Sequence, residues 1–438
     1  MLQRKMQYEL DKYYDDKAPQ KILIIYGARQ VGKSYIVRET AKRKFENYIE
    51  IDLKDDYEGE QKFSKIKTTK DFYLLVGSLY SNLDNYENTI IFLDEIQFYP
   101  HLLTMLKPLN MEKKYRFIVS GSLLGITLKH SFIPMGAIME KRMFPLDFEE
   151  FLWANNYGKE TIDYLKNCFL KREQVNEAIH SHTLRLFQDY LLCGGLPDAV
   201  NEYVNNLNVL DMRRVHSETI NYYKDDCSKY DEKHKLRIKR IYDLLPSNMV
   251  NKVKRIQFKN IEGKTNSNLE QYEDEFDYLF DSGIAICSRA VSNPVFPLIE
   301  SNSKNLVKAY FNDVGLLTNI LYKNNIDAVI DKDKGINLGS VYETAAAMEL
   351  LAHGHELFYF DSKKVGEVDF LINDYNRLNV LPIEIKSGND QNNFRAIPKL
   401  VDKGGNYKIS CGYIFGNKNI VMEKGDLVIF PIYLIMFV

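Results

Sequence analysis

Two sets of residues in this chain could do chemistry. The first is Gly27-Ala28-Arg29-Gln30-Val31-Gly32-Lys33-Ser34, which satisfies the pattern G-x-x-x-x-G-K-[ST]. The two glycines let backbone fold round a phosphate, and successive N–H groups with the positive end of a following helix hold its charge. Lys33 would reach the β- and γ-phosphates of a nucleotide, and the Ser34 hydroxyl would coordinate Mg²⁺. A glycine-containing turn that binds nothing is the bland alternative, and the flanking pattern speaks against it. Downstream, Asp94-Glu95 ends a hydrophobic run. Carboxylates at the carboxyl end of a buried strand are what nucleotide hydrolysis needs: Asp94 to hold Mg²⁺ through water, Glu95 to orient or deprotonate the attacking water. Ser120, in Ser120-Gly121-Ser122, ends another such run and could touch the γ-phosphate. Arg142 could neutralise transition-state charge, in cis or from a neighbouring subunit, or be an exposed structural arginine.

The second set lies near the carboxyl end. Glu343 sits in a helix-like segment, Glu367 and Asp369 in Gly366-Glu367-Val368-Asp369-Phe370, and Glu384 with Lys386 in Ile383-Glu384-Ile385-Lys386. Strand period puts Glu367 with Asp369, and Glu384 with Lys386, on common faces. The turn Asn373-Asp374-Tyr375-Asn376 would join the two strands as a hairpin. Glu343, Asp369 and Glu384 are candidate ligands for a divalent metal, and Lys386 a candidate catalytic cation, for phosphodiester cleavage. Alternation of polar and apolar residues is also what any half-buried strand shows.

The elements that must position these groups follow from apolar patterning. Residues from about 20 to 150 repeat a strand-then-helix rhythm, with strands at Ile22–Tyr26, Tyr48–Leu53, Thr89–Leu93 and Phe117–Val119, the signature of a parallel sheet covered by helices. Residues 161–230 read as a helical lid ending near Gly194-Gly195-Leu196-Pro197. Residues 231–330 read as a winged-helix module: helices at Lys233–Leu245 and Leu269–Ser282, then a strand at Ile284–Val291. Its Lys252, Lys254, Arg255 and Lys259 could contact nucleic-acid phosphates or form a solvated or protein-docking face. The expected division is thus 1–160, 161–230, 231–330 and 331–438. The fold class is α/β, a P-loop parallel sheet with lid and winged helix and a carboxyl-terminal nuclease-like α/β domain.

Composition agrees with a folded multidomain protein: 438 residues, 45% hydrophobic and 27% charged. The net charge of −2 selects no partner class. Cys168, Cys193, Cys227, Cys287 and Cys411 form no C-x-x-C pair, so they read as reduced, mostly buried thiols of a cytoplasmic protein. His180 and His182, and His353 and His355, lack partners at metal spacing and read as surface or helix-end residues. The amino terminus has no signal-peptide core, and Phe430–Val438 is too short to span a membrane, so it is expected to be a buried terminal strand.

Taken together, these stretches resemble the AAA-type ATPases related to archaeal ATPases and STAND NTPases, whose carboxyl-terminal region (DUF4143) has a restriction-endonuclease-like fold. The matching segments are the phosphate loop, Ile91-Phe92-Leu93-Asp94-Glu95-Ile96-Gln97, Ser120-Gly121-Ser122, Phe144-Pro145-Leu146-Asp147-Phe148-Glu149-Glu150-Phe151, Gly194-Gly195-Leu196-Pro197, Asp313-Val314-Gly315-Leu316, Gly339–Glu343, Glu367-Val368-Asp369-Phe370 and Ile383-Glu384-Ile385-Lys386-Ser387. The resemblance implies ATP and Mg²⁺ as ligands of an AAA-like core with lid, a winged helix and a nuclease-like end; the candidate residues are Gly27 to Tyr35 and Ser120 around the nucleotide, with Lys33, Asp94, Glu95 and Arg142 as candidates to act on it. DNA, RNA or a partner protein are candidate targets of the terminal domain. Ser34 departs from the more usual threonine but keeps the hydroxyl. Phe98-Tyr99-Pro100-His101 stands where many relatives carry a tryptophan. A nucleotide-gated scaffold with an inactive terminal domain, and a phosphotransferase, are the competing readings.

Overall fold

The structure is a computed structural model that describes residues 2–17, 19–81, 83–125, 136–206, 208–230, 234–250, 256–263, 268–330, 336–387, 395–401, 407, 409–422 and 427–438. The chain forms two compact units, one of Gln3–Phe144 with Asp281–Gly283, the other of Pro145–Phe280 with Ile284–Val438.

The first unit is built on five parallel strands: β1 (Ile22–Tyr26), β2 (Asn47–Asp52), β3 (Thr89–Asp94), β4 (Arg116–Gly121) and β5 (Ile138–Arg142). Their order is β2-β3-β4-β1-β5. Every residue of β3 and β4 is buried, because both sheet faces are covered, which is why they read as unbroken apolar runs. Each fully buried isoleucine or leucine here, such as Ile24 or Leu93, contributes about 1.5–3 kcal/mol. Parallel register aligns the strand ends: Tyr26 of β1 faces Gly121 of β4 and Arg142 of β5, and Asp52 of β2 faces Asp94 of β3. All the groups expected to act on a nucleotide therefore come to one edge of the sheet, where ligands of open α/β sheets bind.

The fifth strand is a departure from the sequence reading, which has four. Ile-Met-Glu-Lys-Arg has only two apolar residues before three charged ones and lies at the sheet edge, part exposed, so it lacks the apolar run that marks its neighbours. Arg142 is consequently the last residue of a strand and not part of a connection.

The second unit combines helices with a mixed eight-stranded sheet of order β12-β13-β11-β10-β9-β8-β6-β7. Its strands are β6 (Ala285–Val291), β7 (Asn302–Phe311), β8 (Phe358–Ser362), β9 (Gly366–Asp374), β10 (Asn379–Ile385), β11 (Gly412–Gly416), β12 (Val421–Met422) and β13 (Leu427–Pro431). The β6–β7 hairpin pairs through β6 with β8, so the stretch read as a winged helix shares one sheet with the carboxyl-terminal strands. β9 and β10 form the expected hairpin, and Asp374 Oδ1 accepts from the amides of Asn376 (3.0 Å) and Arg377 (3.1 Å) in its turn. The helix Gly339–Ala352 is buried from Ser340 to Leu350 on all sides, which explains its run of alanines.

The terminal apolar run is not one strand. β13 ends at Pro431, whose missing N–H cannot continue the ladder, and Ile432–Phe437 turns into a buried 3-10 helix. Periodicity cannot separate two buried conformations of a short apolar run. His180 is likewise buried, with Nδ1 2.9 Å from the Tyr433 hydroxyl. Cys168, Cys193, Cys287 and Cys411 are free thiols. Among the described residues no helix is long and apolar enough to cross a membrane.

Candidate nucleotide site and a second carboxylate cluster

β1 breaks at Gly27 for a steric reason. Its φ is +149°, and a Cβ there would stand 2.1 Å from the Met143 carbonyl oxygen, so only glycine fits. The loop then runs to Gly32, which starts the helix Lys33–Lys44. Lys33 is buried, and its Nζ donates to the carbonyls of Gly27 (3.1 Å) and Ala28 (2.8 Å), so the ammonium is held inside the loop. Gln30 takes a left-handed conformation (φ +63°), a strain of about 1–3 kcal/mol of the kind found at functional sites. From behind, buried Arg4 donates to Val31 O (3.0 Å) and Phe144 O (2.7 Å). Arg4 fixes the loop, and nothing in its polar surroundings in the sequence points to that role. Tyr35, next along the helix, is exposed.

Asp94 and Glu95 have different environments. Burial pushes the Asp94 carboxyl up, against hydrogen bonds from the Ser120 and Ser34 hydroxyls and the charge of Lys33. A serine hydroxyl and a carboxylate side by side, both hard oxygen donors next to Lys33, fit Mg²⁺. Glu95 is also left-handed (φ +55°). Its Oε2 accepts from the Ser122 amide (3.2 Å), the Ser122 hydroxyl (2.8 Å) and Gln97 Nε2. Burial would raise its pKa, but Lys33, Gln97, Ser122 and Arg29 outweigh it and hold the carboxyl below its ordinary value. Glu95 is therefore an ionised, oriented carboxylate, the form a base or water-positioning group requires. Gln97 was not foreseen as part of this site, because only the fold shows that it reaches back to Glu95.

Arg142 stands opposite Tyr26 in strand register, with its guanidinium 5.1 Å from the centre of the Phe144 ring. Burial presses its pKa down, opposed by Tyr26 and Asp281. The structure thus brings Lys33, Ser34, Asp94, Glu95, Ser120 and Arg142 to one end of one sheet.

In the second unit, Glu343, Asp369 and Glu384 are all buried. Asp369 Oδ2 accepts from the Ile385 amide (2.8 Å), and Lys386 Nζ donates to Glu384 Oε1 (2.7 Å). Burial first, then Asp369 and Glu343, push the Glu384 carboxyl up to about 8, with Lys386 pulling the other way. These four residues are electrostatic neighbours. Even so, among the described residues no three His, Cys, Asp or Glu side chains converge as a set that could hold a metal ion. Glu367 is committed elsewhere: its Oε1 lies 2.5 Å from Nζ of the buried Lys308, which sits 4.7 Å from the centre of the Tyr359 ring. Sequence gives no sign of that pair, since the two residues meet only through the sheet. Of the basic residues read as nucleic-acid contacts, Lys259 is exposed at the start of the short helix Lys259–Glu262, whereas Lys252, Lys254 and Arg255 lie outside the described residues.

A parallel sheet of order β2-β3-β4-β1-β5, with a phosphate loop after β1 and an acidic pair after β3, defines a P-loop NTPase. Residues 19–152 match the AAA domain family AAA_14, residues 184–327 a domain of unknown function (DUF8612), and residues 338–435 a domain of unknown function (DUF4143). The chain carries an AAA-type ATPase domain at its amino end and a DUF4143 domain at its carboxyl end. It is 23% identical to an uncharacterized protein of Methanocaldococcus jannaschii, over 87% of this chain and 79% of that one. Among solved structures it is similar to a Walker-type ATPase of Pyrococcus abyssi, at 17% identity over 73% of this chain and 95% of the other, with a TM-score of 0.42. It is also similar to the ORC1 protein of Aeropyrum pernix, solved in complex with DNA, at 14% identity over 76% and 93% of the two chains, with a TM-score of 0.30.

Proposed function

We propose that this protein is an ATP-hydrolysing switch whose carboxyl-terminal domain is nuclease-like and binds or cleaves nucleic acid. The observation that carries the reading is the presence in one chain of two separate carboxylate-and-lysine sites, one at the phosphate loop and one at Glu343, Asp369, Glu384 and Lys386.

At the first site, loop amides and Lys33 bind the ATP phosphates. Ser34 and Asp94 would hold Mg²⁺, which neutralises phosphate charge when bound. Glu95 orients the attacking water and takes its proton, and Ser122 with Gln97 fixes the carboxylate for that task. Arg142, beside the loop of its own chain, supports a role in cis for the charge that develops on the γ-phosphate. The residues 161–230 act as a lid, and the three helical segments before the β6–β7 hairpin as a winged-helix module.

The terminal site is tested with single- and double-stranded DNA and RNA under Mg²⁺ or Mn²⁺, beside Asp369→Ala and Lys386→Ala. Cleavage lost in both variants supports a nuclease; cleavage that survives both is contamination. The direct bond between Lys386 and Glu384, and the lack of a converged metal set among the described residues, favour a second reading, a nucleotide-gated scaffold that binds without cutting. Absence of cleavage with retained nucleic-acid or protein binding selects that one.

A further inference from the structure

The first unit includes a short piece of chain from far downstream, Asp281-Ser282-Gly283. It meets the nucleotide site at three points. A methyl placed on Gly283 would stand 3.2 Å from the Ala28 amide nitrogen and 3.3 Å from Arg142 Nη2, so the first loop amide and the guanidinium crowd the same point. A methyl on Gly125, just beyond Ser120-Gly121-Ser122, would stand 2.4 Å from the Asp281 carbonyl oxygen. The Asp281 carboxylate is near enough to Arg142 and Tyr26, which face each other in register, for its charge to be felt by both. Ser282 and Gly283 are buried. None of this segment belongs to a motif of the phosphate loop or the acidic pair.

The physical problem it solves is the placing of Arg142, which is half-buried at the end of β5. A half-buried guanidinium is held in one place by an opposite charge, and the acids of the site, Asp94 and Glu95, are engaged by Ser120, Ser34, Ser122 and Gln97. Asp281, two residues before Gly283, is an opposite charge on the segment that passes the guanidinium. An arginine that serves developing negative charge is useful only when it is set in place before the reaction, because reorganising it would add to the barrier.

We propose that Asp281 is a positioning residue for ATP hydrolysis, holding the Arg142 guanidinium beside the first amide of the phosphate loop, with Gly283 providing the close approach this requires. The proposal rests on the assignment of Arg142 to the γ-phosphate. Steady-state ATP turnover is compared for the full-length wild type, Asp281→Asn, Asp281→Glu, Arg142→Ala and the double variant Asp281→Asn/Arg142→Ala, with thermal midpoints recorded for each. Asp281→Asn is expected to lower kcat about tenfold with KM changed less than about twofold and the midpoint nearly constant, because a mispositioned group costs the transition state more than the bound substrate. Asp281→Glu restores most of the rate, and the double variant is no slower than Arg142→Ala. If Arg142→Ala is slow but Asp281→Asn turns over like wild type, or if the two losses multiply, the positioning role is wrong while the Arg142 assignment stands. Wild-type turnover in Arg142→Ala removes that assignment and this proposal with it.

Discussion

Replacing Asp313 by asparagine is expected to have a stability effect that depends on pH in a defined direction. Asp313 is fully buried at the start of the helix Val314–Tyr322, where its Oδ1 accepts from the Leu316 amide (3.2 Å) and its Oδ2 from the Gly195 amide (2.6 Å). It therefore ties the Gly194-Gly195-Leu196-Pro197 turn to the Asp313-Val314-Gly315-Leu316 helix start, two motifs far apart in sequence. Burial pushes its carboxyl up from 3.8 to about 6, against the pull of these amides. The folded protein thus holds this proton more tightly than the unfolded chain does. The stability from Asp313 is full below about pH 3.8 and is lost as pH climbs to about 6, a fall of ~3 kcal/mol at about 1.4 kcal/mol per unit. Asparagine keeps the shape and one acceptor but turns an NH₂ group toward a backbone amide, a cost of about 1–3 kcal/mol that does not vary with pH. The variant should be the less stable protein at pH 4 and should equal or exceed wild type at pH 7. The assay is urea unfolding followed by Trp153, the single tryptophan, which lies in the same unit as Asp313. An asparagine penalty that is constant between pH 4 and 7, or that grows, would refute the argument.

Two further substitutions probe the phosphate loop. Gly27→Ala should abolish ATP binding, because its methyl would meet the Met143 carbonyl oxygen at 2.1 Å; titration with a fluorescent nucleotide checks it, and wild-type affinity counts against the loop geometry. Arg4→Met leaves the Val31 and Phe144 carbonyls without a donor that the fold now supplies, at about 1–3 kcal/mol each, so both the thermal midpoint and ATP affinity should fall; no change in either would show that the loop holds itself.

How much of this was legible in the sequence follows from where each signal lies. The phosphate loop and the acidic pair could be read because each is contiguous and each sits at the end of an apolar strand. β1, β3 and β4 were visible for the same reason, being buried on both faces. β5 was not, because an edge strand carries half the pattern. With β5 hidden, Arg142 could not be placed, although its residue type had already marked it. Gln97, Arg4 and Asp281 escaped because their contacts are made by tertiary approach and no local pattern encodes them. In the second unit the β9–β10 hairpin was readable from its turn residues, and with it the nearness of Asp369 to Glu384. The commitment of Glu367 to Lys308 was not, since strand period assigns a face but not a partner. The mixed terminal run shows the same limit: its apolar character was plain, and its change of backbone at Pro431 was set by one residue's missing N–H.

The central claim is that the phosphate loop and Glu95 hydrolyse ATP. It is tested most directly by steady-state ATP turnover with Mg²⁺ for wild type, Lys33→Ala and Glu95→Gln, with ATP binding measured in parallel. The account predicts turnover by wild type, loss of binding and turnover in Lys33→Ala, and in Glu95→Gln wild-type binding with a rate lower by about 10²–10⁴-fold. Equal turnover in all three proteins would contradict it.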